Sequence, residues 1–130
     1  MFIPHTTDDG RIPPVEYQPA GAITPKLGLA LVVSAGKLAV ASGSTKPQYI
    51  CMTEHAAAVE SGTIIPVQRV SSEIIYETTA SVSIASVKCG DKVTLAADGM
   101  RVTATTTEGV AEVVNFAGTT TGSRVFVRFA

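Results

Sequence analysis

Apolar and polar positions alternate in short runs along most of this chain, and turn residues separate the runs. Leu29–Val33 leads through Ser34-Ala35-Gly36-Lys37 into Leu38–Ala41, a predicted hairpin in which Gly36 is able to take a positive φ. Gln48–Met52, Thr63–Val70 and Glu73–Thr79 read as further strands, with Pro66 favouring an edge or a bulge. Ser81–Val87 alternates small polar and apolar residues with period two, as a half-buried strand does. Lys92–Ala96 and Met100–Thr105 flank an Asp98-Gly99 turn and form the clearest hairpin. Val110–Phe116 and Ser123–Phe129 complete the series. In the last of these, Val125, Val127 and Phe129 share one face, and Arg124, Phe126 and Arg128 share the other. Only Glu54–Glu60 has a helical pattern, ended by Gly62, and a stretch of two turns predicts no more than a helical turn in a loop.

Eight or nine short strands with turns every 8–12 residues predict an all-β fold, a small antiparallel β-barrel or sandwich. The first 25 residues differ from the rest. They hold Pro4, Pro13, Pro14, Pro19 and Pro25, five of the seven prolines. Proline fixes φ and donates no hydrogen bond, and it pushes the preceding residue toward extended geometry. The expected organisation is an extended N-terminal arm, residues 1–25, ahead of a β-domain, residues 26–130. The arm carries Phe2, Ile3, Ile12, Val15, Tyr17 and Ile23, apolar side chains with no core of their own to enter. These six are therefore read as partner-binding, together with Arg124, Phe126 and Arg128 on the less buried face of the last strand, since aromatic residues and Arg are enriched at interfaces.

Composition narrows the function. The chain is 45% hydrophobic and only 16% charged, with abundant Thr, so its surface is crowded with small polar groups or covered by partners. A net charge of −1 offers no electrostatic footprint for nucleic acid. No apolar run approaches the ~18–20 residues that cross a bilayer, and the basic and apolar regions of a signal peptide are lacking. Cys51 and Cys89 make no disulfide framework and read as small buried hydrophobes.

Catalytic chemistry has little to draw on. His5 lies in the arm and His55 in a polar loop, where it reads as solvated. His5, Asp8 and Asp9 are too few and too loosely placed for a metal site, and Thr7-Asp8-Asp9-Gly10 reads as an Asp-capped turn. Ala35-Gly36-Lys37-Leu38 lacks both the upstream glycine and the Ser or Thr of a phosphate-binding loop. No nucleophile elbow or spaced carboxylate pair is found. The expectation is a protein without enzymatic activity and without a cofactor.

Four stretches carry a resemblance: HTTDDGRIPPVEYQPAGAITPKLGLAL, GKLAVASGSTKPQYICM, GDKVTLAADGMRVTATTTEGVAEVV and SRVFVRF. Together they span nearly the whole chain, which resembles the head-decoration (capsid cement) proteins of tailed bacteriophages. The resemblance implies a virion protein made in the host cytoplasm. It would bind the major capsid protein on the outer head surface, often as a homotrimer, and reinforce the head against internal pressure. It carries over no catalytic residue. The alternative within the same class is another phage structural module, such as a head-fibre base or a tail-tube or adhesin β-domain.

Overall fold

The N-terminal prolines keep their segment extended without keeping it apart from the body. In the computed structural model, which describes Met1–Ala130, β1 (Ile3–Thr7) pairs with β7 (Ile74–Thr79), and β2 (Val15–Pro19) pairs with β6 (Ile64–Arg69). One antiparallel sheet has the order β1-β7-β10-β9-β8, completed by β8 (Lys92–Val93), β9 (Ala111–Phe116) and β10 (Arg124–Arg128). The other has the order β2-β6-β5-β3-β4, completed by β3 (Ala30–Ser34), β4 (Lys37–Val40) and β5 (Tyr49–Cys51). The chain is all-β, with no helix. Neither sheet closes into a barrel, although one parallel bridge between Ala20 and Leu38 draws the two ends of the second sheet together.

Each sheet takes one N-terminal strand as its edge, where a missing proline N–H breaks no ladder. β1 also carries a bulge between Pro4 and Thr6. Phe2 is 1% exposed and packs edge-on against Phe129, with ring centroids 5.3 Å apart. The expected separation of residues 1–25 from the body is thus corrected. Burying Phe2 and pairing two strands removes apolar surface and backbone polar groups from water at once.

Alternation along the second sheet feeds two cores. Ala30 and Ile50 point into a cluster of 17 buried residues shared with the first sheet, alongside Tyr76, Val125, Val127 and Phe129. Leu31, Tyr49 and Cys51 point the other way, into a cluster of eight that also holds Ile65 and Val67. Ile23 and Val59 pack against this second cluster, so the segments around residues 20–28 and 53–63 cover it. The Glu54–Glu60 stretch forms no helical turn. His55 N–H donates to Pro25 O and Val59 N–H to Ile23 O, both at 2.9 Å, which commits its backbone to the neighbouring segment instead.

Three further expectations change. Pro66 lies in β6, an interior strand. Its carbonyl accepts from Met52 N–H at 3.0 Å, so its missing N–H faces the same side, just past the end of β5 at Cys51. Ser81–Val87 is a turn-rich connection rather than a strand. Its alternation reflects Ile84 and Val87 plugging the core from a loop. The Asp98-Gly99 hairpin is present but short of regular strand. Ala96 N–H donates to Arg101 O and Thr103 N–H to Thr94 O, while only Lys92–Val93 remains as ladder. Gly99 holds φ at 66° at its tip, where a Cβ would sit 2.7 Å from Val40 Cγ1.

Candidate interaction surface

The register of β2 on β6 decides what the N-terminal segment shows to solvent. Val15 faces Gln68, Tyr17 faces Pro66 and Pro19 faces Ile64, so these six side chains share one side of the sheet. Glu16 and Gln18, opposite the buried Val67 and Ile65, share the other. Ile50, the β5 neighbour of Gln68, lies on the same side as Val15 and is fully buried in the shared core. The first sheet therefore covers this face over β5 and leaves it open over β2.

The open part is apolar. Ile12, Tyr17 and Ile64 are the most exposed large apolar side chains of the chain, at 78%, 69% and 58%, and Val15 follows at 45%. Met52 extends the face through its bond to Pro66, and Ile12 and Met52 line one cleft together with His5, Thr6, Thr7 and Gln68. Exposed apolar residues gathered in this way mark interaction sites, whereas single ones carry no such meaning. Gln68, 5% exposed, donates from Nε2 to Pro13 O at 3.0 Å and so ties the β1–β2 connection down. Its Oε1 has no protein partner. On the opposite side of β2, Arg69 forms a two-pronged pair with Glu16 at 3.0 and 3.1 Å and donates to Tyr49 Oη at 2.8 Å. The hydrogen bond to Glu16, with help from Tyr49, raises the Arg69 pKa above its ordinary value.

A second surface lies on the outer side of the first sheet. Arg124, Phe126 and Arg128 project there from β10, as their alternation requires, and Ile3 joins them through Glu77, which faces both Ile3 and Phe126. Its charges are internally matched. Arg124 pairs with Glu77 at 3.4 Å and Arg128 with Asp8 at 3.0 Å. Phe126 is half-buried, and the His5 ring lies over it at 4.8 Å between centroids.

The nine residues read as partner-binding thus separate into four places. Ile12, Val15 and Tyr17 gather on the β2–β6 face, while Ile3, Arg124, Phe126 and Arg128 gather on the β10 face. Phe2 is core, and Ile23 is half-buried and packs against the second cluster. Sequence reasoning missed Ile64. Its β-rich run predicted a strand, but only the pairing with β2 shows that Ile64 continues the exposed face.

The remaining reactive groups are dispersed. His5 packs on Phe126, Asp8 pairs with Arg128, and Asp9 Oδ1 accepts from Arg11 N–H at 2.9 Å. Cys51 is buried, with Sγ 3.3 Å from Thr53 O, and burial raises its thiol pKa. Cys89 is exposed in the turn before β8, which corrects the expectation of two buried thiols. No protein-family model matches the chain, and no curated protein matches it.

Proposed function

We propose that the chain is a non-enzymatic structural protein of a tailed-phage virion, which binds the outer surface of the head through the major capsid protein and stabilises it. The resemblance of the sequence to head-decoration proteins supplies the class. The observation that carries the reading is the exposed apolar face centred on Tyr17 and Ile64, held on paired strands instead of a free tail. Reinforcement of this kind comes from apolar area buried across subunit boundaries, at roughly 25 cal/mol per Å².

The fold alters the expected mode of attachment. A free segment of 25 residues would reach roughly 80 Å at ~3.3 Å per residue. With β1 and β2 fixed in separate sheets, that reach is gone, and the segment acts as a preformed surface. Such a surface loses little conformational entropy on docking.

The test is co-sedimentation of the purified chain with heads assembled without it, with heads already saturated by it as the control. Saturable binding to the first and none to the second is expected. Failure to bind undecorated heads contradicts the reading, and rings or filaments of the pure chain under the electron microscope favour a tail-tube or fibre module instead.

A further inference from the structure

We infer that the cleft at one end of the sandwich, where β5 begins and β6 and β10 finish, binds a small organic anion, a carboxylate carried on an apolar body. The inference stands apart from the head-binding reading and concerns a different surface.

The walls of the cleft follow from where the strands end. Val32 comes from β3, Pro47 from the approach to β5, Val70 from just past β6 and Phe129 from just past β10. Phe129 belongs to the core that the two sheets share, and Val32 and Val70 pack against that core. The apolar side of the cleft is therefore continuous with the interior. Its volume is about 510 Å³, within the range that holds small organic ligands.

Hydrogen-bond accounting decides the polar side. Lys46, Gln48, Arg69 and Ser72 line it, and no carboxylate side chain does. Gln48 Oε1 accepts from Val33 N–H at 2.8 Å, which fixes the amide and leaves Nε2 as a donor without a protein partner. The Ser72 carbonyl accepts from Arg128, so this acceptor is spent as well. Arg69 commits Nε and Nη2 to Glu16 and Tyr49, and Glu16 offsets its charge. Lys46 enters none of the four ion pairs of the chain. What remains unspent is donor valence and the positive charge of Lys46. A group that carries negative charge and only accepts complements this set, whereas a cation finds no partner in it. The apolar walls then favour a carboxylate attached to hydrocarbon over an inorganic anion, because hydrocarbon laid against Val32, Val70 and Phe129 leaves water.

The experiment titrates the isotope-labelled full chain with decanoate, decanol and acetate and follows the backbone amide signals by NMR, in wild type and in Lys46→Ala. Lys46 is exposed, and an unchanged thermal melt checks that the variant folds. Decanoate is expected to shift the amides of Val32, Gln48, Val70 and Ser72 along one saturable curve. Acetate lacks the apolar body and decanol lacks the charge, so each should bind about tenfold or more weakly. Lys46→Ala should weaken decanoate by about tenfold, the scale of one hydrogen bond to a charged group, and leave decanol unchanged. The inference is overturned by the absence of saturable shifts in this set, by decanol binding as well as decanoate, or by full decanoate affinity in Lys46→Ala. Shifts centred on Val15, Tyr17 and Ile64 also overturn it, because the ligand is then adsorbing to the exposed apolar face.

Discussion

Tyr76 is fully buried between the sheets, 5.4 Å from the Phe129 ring, and its hydroxyl has no hydrogen-bond partner in the protein. Burial pushes its pKa well above the ordinary tyrosine value. The folded chain therefore keeps this proton above pH ~10, where the unfolded chain releases it, and stability should fall as pH rises past that point, by up to ~1.4 kcal/mol per pH unit. Tyr76→Phe should flatten that alkaline loss and be neutral or slightly stabilising near pH 7, because it removes an unsatisfied group. Urea melts at pH 7 and pH 11 check both parts. The thiols differ for a related reason. Cys89 should react with an aromatic disulfide reagent at once, and Cys51 only on unfolding, so a count of one thiol native and two denatured is expected. At the β3–β4 turn, Ala35 holds φ at 51° beside Gly36 at 79°. A non-glycine residue in this left-handed region is strained, and Asn tolerates it better. Ala35→Asn should raise stability by about 0.5–1 kcal/mol, part of the left-handed cost that a non-glycine residue carries, read from the urea midpoint.

At the scale of elements, the N-terminal segment is the revealing case. Its extended character was legible from the prolines, and its apolar residues were legible as surfaces needing cover. What covers them was not. Strand pairing is a long-range property, and nothing local to Phe2 announces that Phe129 lies against it. The same limit hid Ile64, whose exposure is decided by β2 from some 45 residues away. The body was easier. Residues 29–41 and 123–129 were readable because period-two alternation and a glycine turn act locally, and Val125, Val127 and Phe129 are indeed fully buried. Ser81–Val87 shows how that signal misleads, since a loop that caps a core can alternate as a strand does. Integration of the segment has a direct consequence. Phe2→Ala should destabilise the whole chain by about 3–5 kcal/mol. Deletion of residues 1–25 should leave a protein without a cooperative thermal transition, because both sheets lose an edge strand. A truncated chain that melts like the full one would show the segment to be an accessory.

At the scale of the molecule, two sheets share one core, and a single segment stitches them along one side before presenting its outer face to solvent. Free strand edges invite uncontrolled pairing, and these are blunted. β1 carries Pro4 and a bulge, β8 has only two residues, and β4 is engaged at Leu38, whose carbonyl accepts from Gly21 N–H at 2.9 Å. A preformed face with protected edges is the arrangement that the proposed head binding calls for. The central claim is that the N-terminal strands remain in their sheets while their apolar face docks. Hydrogen–deuterium exchange of the chain, free and bound to undecorated heads, tests it most directly. The account expects Ile12 and those amides of Val15–Gln18 that face away from β6 to gain protection on binding, with the amides bonded across β1–β7 and β2–β6 protected in both states and β10 unchanged. Rapid exchange across residues 1–25 in the free chain, or new protection confined to residues 124–128, would contradict it.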